Sequence, residues 1–243
     1  DFCLSRGLGD VYKRQVLSSC KERTLDDIMK DGKIIVATNA EFPPFEYLDG
    51  DTITGFDIDL IKLYAKYLGV DIEINNIDFD GALLSVSSNK ADLVIAGVTK
   101  NEKREQSLSF SNGYFSASQV VIVKKNSNIS GTTIEEIRES LSQNNATIGA
   151  QAGTVGEYYA KGDSDWDFEI IPNTICQTYD NGALAIKALN NGQIDAVIID
   201  KLPAIELTKS YSELQILDTT LTEEEYALSL IHISEPTRQA EIS

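Results

Sequence analysis

Residues 82–97, ALLSVSSNKADLVIAG, and residues 185–200, AIKALNNGQIDAVIID, align without a gap. Each reads as a helix, a polar turn, an Asp and a buried strand. The strands end at equivalent places, on Gly97 in the first copy and on Asp200 in the second. In open parallel sheets, ligands bind beyond the carboxyl ends of the strands. Two such sheets facing each other across a cleft would bring both ends to one ligand.

The residues just past the first strand end indicate the chemistry. AGVTKNEKRE, residues 96–105, succeeds the apolar run ADLVI, and KNEKRE reads as the first turns of a helix. Gly97 lets a ligand approach the backbone, and Thr99 offers a hydroxyl. Free amides at the helix start favour an anion, and the fork of Arg104 matches a carboxylate. Asp200 supplies the opposite charge at the second end. A zwitterion satisfies both, which points to a free amino acid.

Composition agrees with that scale of partner. The chain has 243 residues, 42% of them hydrophobic, enough for one large or two modest domains. Acidic residues outnumber basic ones 38 to 21, for a net charge of −17, which argues against nucleic acid. No run approaches the length of a membrane span. Cysteines at positions 3, 20 and 176 have neither metal nor disulfide-framework spacing. The single histidine, His232, lies near the end of the chain, so no Ser-His-Asp or Cys-His constellation is available to the body of the protein. The paired acids Glu135 and Glu136 lie at a helix start, where their charge suits the dipole. No enzyme activity, cofactor or metal is expected.

Strands and helices alternate along the rest. TLDDIMKDG (24–32) is a short capped helix and KIIVATN (33–39) a buried strand. An aromatic, proline-rich loop, AEFPPFEYLDGD (40–51), comes next. GFDIDLIKLYAKYLG (55–69) is an amphipathic helix closed by Gly69, and VDIEINNI (70–77) a strand. YFSASQVVIVKKN (114–126) is a long extended run. TTIEEIRESL, ATIGA, GTVGEYYAKG, FEIIP and the segments after them continue the alternation, so the chain is α/β by pattern.

The helix GFDIDLIKLYAKYLG, the loop ATNAEFPPFEYLDG and the stretch ADLVIAGVTKNEKREQSLSFSNGYF resemble the extracytoplasmic amino-acid-binding proteins of ABC importers, in particular the polar amino acid group. The resemblance runs from about Thr24 to Ala227. It implies a two-lobed type II periplasmic-binding-protein fold with two hinge-crossing strands: lobe 1 over 32–113, crossings over 114–118 and 223–228, and lobe 2 over 119–222. It implies a monomer that binds a free L-amino acid and presents it to a membrane permease. Arg104 then clamps the ligand carboxylate. Gly97 and Thr99 add backbone and hydroxyl bonds, Gly153 and Thr154 donate to the same carboxylate, and Asp200 takes the ammonium. Phe42 and Phe79 sandwich the side chain, and Ala96 completes the wall. Asn39 stands where several members carry an Asp, and Gln151 where some carry a Lys. With no cation but Arg104 among these positions, an acidic side chain is disfavoured, and neutral polar and basic ones both remain open.

Several of these residues also have a purely structural reading. Thr99 through Glu102 fits a capping box, Asp200 fits an N-cap, and Phe42 and Phe79 fit a core. Only their joint occurrence in family order favours the ligand reading. Two other classes stand beside it, a dehydratase-type enzyme of the same fold and the ligand-sensing domain of a receptor.

The ends read differently. Residues 1–15 and 229–243 resemble translated sequencing-adapter read-through and are expected to be non-native, with the C-terminal part of lobe 1 missing. Between the first of these and the fold, residues 16–31 carry VLSSC, which resembles a lipobox. Cys20 would then be lipidated, anchoring the protein outside the bacterial cytoplasmic membrane.

Overall fold

The computed structural model describes residues 23–230. Cys20, His232 and nearly all of both adapter-like segments lie outside the described residues. Helix α1 (Leu25–Asp31) opens with a reciprocal capping box between Thr24 and Asp27 and stops at Gly32, whose φ is 67°. Strand β1 (Lys33–Thr38) comes next. The segment expected to be a loop is instead pleated, with β2 (Glu41–Phe42), β3 (Glu46–Asp49) and β4 (Thr52–Thr54) forming a small antiparallel sheet. A tight turn at Gly50, φ 60°, folds β4 back on β3; the prolines ahead of it mask the strand pattern.

Helix α2 (Phe56–Leu68) buries Asp57, Ile58, Ile61 and Ala65 and ends on Gly69, φ 71°. Then come β5 (Asp71–Asn76), α3 (Phe79–Ser87), β6 (Leu93–Val94), α4 (Glu102–Glu105) and β7 (Ser109–Phe110). The extended run divides at Ser118 into β8 (Phe115–Ala117) and β9 (Gln119–Lys124). The second half holds α5 (Ile134–Gln143), β10 (Thr147–Gln151), α6 (Val155–Lys161), a 3-10 turn (Ser164–Trp166), β11 (Ile175–Tyr179), α7 (Gly182–Asn190), β12 (Ala196–Asp200), α8 (Lys201–Thr208) and β13 (Leu214–Ile216). The chain then forms β14 (Glu224–Tyr226) and β15 (Ser229–Leu230). FEIIP is not a strand. Ile171 is buried but Ile170 is 68% exposed, and the sheet edge is taken by the more polar ICQTY, which pairs with β10 only.

Two five-stranded sheets result, ordered β5-β1-β6-β15-β7 and β11-β10-β12-β9-β13. In each, the first three strands are parallel and the fourth runs antiparallel to the third. The fourth strand is the one the chain reaches after crossing from the other sheet, β9 after β8 and β15 after β14. The crossing strands pair with each other, Phe115 opposite Tyr226. This is the expected two-lobed α/β fold. Ser229 and Leu230, inside the segment that resembles adapter sequence, hold the fourth place in the first sheet. Ser229 is fully buried with its hydroxyl unpartnered, so backbone pairing rather than side-chain chemistry keeps it there.

The internal repeat extends to individual hydrogen bonds. Asp78 caps α3 through Gly81 N at 2.8 Å, and Asn181 caps α7 through Leu184 N at 2.9 Å. Asn89 and Gly192 make the same left-handed turn, φ 57° and 74°. The Asp of each copy accepts the amide of the neighbouring strand, Asp92 from Ile35 at 2.7 Å and Asp195 from Thr147 at 2.8 Å. Apolar cores lie within each lobe. At the crossings an aromatic cluster joins them, with Phe45 4.9 Å from Phe115 and 5.2 Å from Tyr226 between ring centres.

Candidate functional site

Strand ends build the site. Asn39 follows β1, Ala96 and Gly97 follow β6, Gln151 ends β10 and Asp200 ends β12, and all five line one cavity between the lobes. Phe42, Phe79, Thr99, Arg104 and Thr154 share its walls. Gly153 lies just behind the lining. Two further wall residues, Glu46 and Val155, lie beyond the sequence expectation. Glu46 comes from the segment expected to be a loop, and nothing local marks it as buried.

Arg104 is 8% exposed and tightly held. Asn101 accepts its backbone N–H at 2.9 Å, so Asn101 and not Thr99 caps α4. Its guanidinium donates to Thr99 O at 2.8 Å and, across the cleft, to Gly153 O at 3.1 Å. Phe79 and Trp166 lie over the group, 5.5 and 5.0 Å from ring centre to Cζ. Burial pushes its pKa down to about 10, which leaves it charged at neutral pH. Among the described residues no carboxylate reaches ion-pair distance of it.

The opposite wall is acidic. Asp200 is 6% exposed and stands at the N-cap position of α8 without a side-chain capping bond. Its carboxylate instead accepts the hydroxyl of Tyr226, on the crossing strand β14. Burial, and then the nearby Glu224, push Asp200 up to about 7. Thr99 donates its hydroxyl to Glu224 at 2.7 Å. The other Glu224 oxygen accepts from Gln119 at 3.0 Å and from Thr222 at 2.6 Å. Glu46 is fully buried, and its carboxyl hydrogen-bonds that of Asp57. Burial, then the neighbouring Asp57 carboxyl, raise it well above the usual carboxylate range. Asp57 is itself raised by burial, although one of its oxygens accepts from Gly97 N at 3.0 Å and from the Tyr114 hydroxyl at 2.7 Å.

The second lobe departs from expectation at two points, Gly153 and Thr154, whose donors are both committed within the lobe. Gly153, φ 74°, gives its N–H to Glu157 at 2.6 Å and only its carbonyl faces Arg104. Glu157 enters the first turn of α6 close enough to take that amide, so it does not point at the cavity. Thr154 donates its hydroxyl to Gln151 O at 2.8 Å. Across the cleft, Gln151 Nε2 meets Asn39 Oδ1 at 3.0 Å, while Asn39 Nδ2 donates to Ile77 O at 3.0 Å. The Ile77 carbonyl therefore fixes which way both amides point. That leaves Gln151 Oε1 buried and unpartnered. Gln151 thus brings a buried acceptor without a partner to the cavity wall.

Among the described residues no group of His, Cys, Asp and Glu is arranged to hold a metal ion, and no helix is long and apolar enough to cross a membrane. Cys176 is partly buried, and burial pushes its thiol up to about 11, away from nucleophilic behaviour.

Comparison with known proteins places this geometry. A sequence model of the bacterial extracellular solute-binding proteins, family 3, matches residues 34–185. The arginine-binding extracellular protein ArtP of Bacillus subtilis is 31% identical over 185 residues, 75% of this chain and 67% of its own. Among solved structures, the arginine-bound form of a truncated ArgBP from T. maritima superposes with a TM-score of 0.74 at 33% identity, covering 85% of this chain and 92% of that one. The ancestral amino acid-binding protein AncCDT-1, a precursor of cyclohexadienyl dehydratase, gives a TM-score of 0.74 at 31% identity, covering 86% of each chain. The chain belongs to the bacterial extracellular solute-binding proteins, family 3.

Proposed function

We propose that this protein is the solute-capturing component of an amino-acid ABC importer, holding one free L-amino acid between its lobes and presenting it to a membrane permease. The observation that carries the reading is the convergence of Arg104 and Asp200, from different lobes, on one cavity at the strand ends. The guanidinium takes the α-carboxylate and Asp200 the α-ammonium. Thr99 has committed its proton to Glu224, so its oxygen offers lone pairs to the ammonium. Phe42 and Phe79 flank the side chain.

The unpartnered Gln151 oxygen favours a ligand side chain that donates hydrogen bonds, since a buried acceptor without a partner costs about 1–3 kcal/mol. An acidic side chain would set a carboxylate against it. L-arginine, the ligand of the T. maritima relative, is therefore the first candidate. Cys20 as a lipid attachment, a monomeric state and work on the outer face of the cytoplasmic membrane belong to the same proposal.

A thermal-shift screen of the twenty amino acids tests it. A ligand at 100 times its Kd adds roughly 2.7 kcal/mol, a shift of roughly 5–10 °C for a chain of this size. The expected result is a shift with L-arginine, none with L-glutamate, and none with any amino acid in Arg104→Ala. A silent screen overturns the reading. A dehydratase is the second reading, carried by the likeness to AncCDT-1 and by Glu46, whose carboxyl is raised toward the range of a general acid. Loss of water from a cyclic amino-acid precursor, abolished in Glu46→Gln, would support it.

A further inference from the structure

One cluster bridges the two lobes beside the cavity. Lys103 and Arg104 on α4, in the first lobe, meet Asp165 and Trp166 of the 3-10 turn in the second, residue for residue. Lys103 forms an ion pair with Asp165, and Arg104 lies under Trp166 at 5.0 Å. The turn is braced on both sides. Asp163 caps it by accepting Asp165 N at 2.8 Å, and Trp166 stacks on Tyr158 of α6, 4.8 Å between ring centres at an interplanar angle of 17°. Phe168 extends the stack at 6.4 Å. The indole thus reaches Arg104 as a prebuilt platform.

We propose that the Ser164–Trp166 turn is a closure latch in which Trp166 is a positioning residue for the carboxylate clamp Arg104; this rests on the reading of the cavity as an amino-acid site. Phe79 belongs to the same lobe as Arg104 and accompanies it in every state. Trp166 arrives only when the lobes close. Its contact therefore separates the closed from the open state and lengthens the life of the closed one. A ring over Cζ also restricts the guanidinium, so that it keeps its bonds to Thr99 O and Gly153 O while presenting the remaining donors to a carboxylate. The Lys103–Asp165 pair is half exposed and adds register rather than strength.

The latch acts on release more than on capture, because docking in the open state does not use it. Trp166 is the only tryptophan in the chain, so its emission reports the event directly. The experiment follows release of tritiated L-arginine under an unlabelled chase in wild type, Trp166→Phe and Trp166→Leu. Alongside it, wild-type fluorescence is recorded on adding L-arginine. The expected result is release about tenfold faster in Trp166→Leu, of the size a desolvated cation–π contact allows, and an intermediate rate in Trp166→Phe. The association rate should stay within about twofold, the ligand-free melting temperature should fall by only a few degrees, through the lost Tyr158 stack, and wild-type emission should change on binding. Release from Trp166→Leu at the wild-type rate overturns the latch alone. Failure of the wild type to retain L-arginine or any other of the twenty amino acids overturns the site reading and the latch with it.

Discussion

Thr99 Oγ1 lies 2.7 Å from Glu224 Oε2, a hydrogen bond between residues 125 positions apart. Two residues further on, Tyr226 binds Asp200. The crossing strand β14 therefore touches both Thr99, in the loop before Arg104, and Asp200 on the other lobe. Hinge geometry and site geometry are set by the same strand, and motion of one must be felt at the other. Glu224 also acts through charge, as the cause after burial that raises Asp200. Glu224→Gln keeps the shape and removes the charge, so the pH midpoint of ligand binding should fall below that of the wild type. Titration calorimetry across pH 5–8 reads this; an unmoved midpoint would mean that Asp200 is not the titrating group.

The pH dependence itself has a definite sign. Asp200 is raised from 3.8 to about 7 in the folded, ligand-free protein. The stability contributed by its protonated form is complete below the unfolded value and is lost as pH rises through about 7. An ammonium bound to it requires the charged form. Affinity should therefore rise with pH, by at most about tenfold per unit, and level off above about 7. The melting temperature of the free protein should fall over the same window and that of the loaded protein should hold. Asp200→Asn removes both slopes.

Arg104 supplies charge and a planar fork together. Truncating one partner of a buried, hydrogen-bonded charge pair costs about 2–5 kcal/mol, so Arg104→Ala should weaken ligand binding at least roughly thirtyfold. Arg104→Lys should recover little of this. A single ammonium cannot reach Thr99 O, Gly153 O and a ligand carboxylate at once. Equal affinity of the lysine variant and wild type would show that only the charge matters.

Gly153 tests closure. Its φ of 74° is strained for any side chain, and a Cβ there would collide with the carboxyl of Asp80 on the opposite lobe. Gly153→Ala should weaken binding roughly tenfold or more. Adding Asp80→Ala should restore the part due to collision while leaving the part due to backbone strain. Coupling between the two, measured as a double-mutant cycle, identifies the collision. Strict additivity would mean that the lobes do not meet there.

The site's legibility tracks the distance over which each residue is determined. Arg104 is set by Asn101 within one turn, and the sequence spacing reveals it. Asp200 emerges from the repeat because the two copies share their caps and turns. Glu46 and Trp166 do not emerge. Glu46 is buried only because β2, β3 and β4 fold into a sheet, and Trp166 meets Arg104 only because the second lobe packs against the first there. ICQTY escapes for a different reason, since a sheet edge with Ile175 64% exposed carries no apolar run to find.

Glu46 is the second raised carboxyl on the cavity wall, and one substitution separates its two roles. Burial, the Asp57 carboxyl and Asp200 all raise it, which favours its protonated form. A protonated carboxyl and a carboxamide are nearly the same size and both can donate. Glu46→Gln should therefore cost less than about 1.5 kcal/mol at pH 6, as a volume-conserving exchange does. It should also flatten the fall of melting temperature with rising pH, because the stability of a raised carboxyl is lost as pH climbs through its folded value. If Glu46 additionally receives a cationic side chain, the same variant should weaken L-arginine more than L-glutamine. Equal losses for both ligands would confine Glu46 to supporting Asp57, and a large loss of stability at pH 6 would mean that its charged form holds the fold.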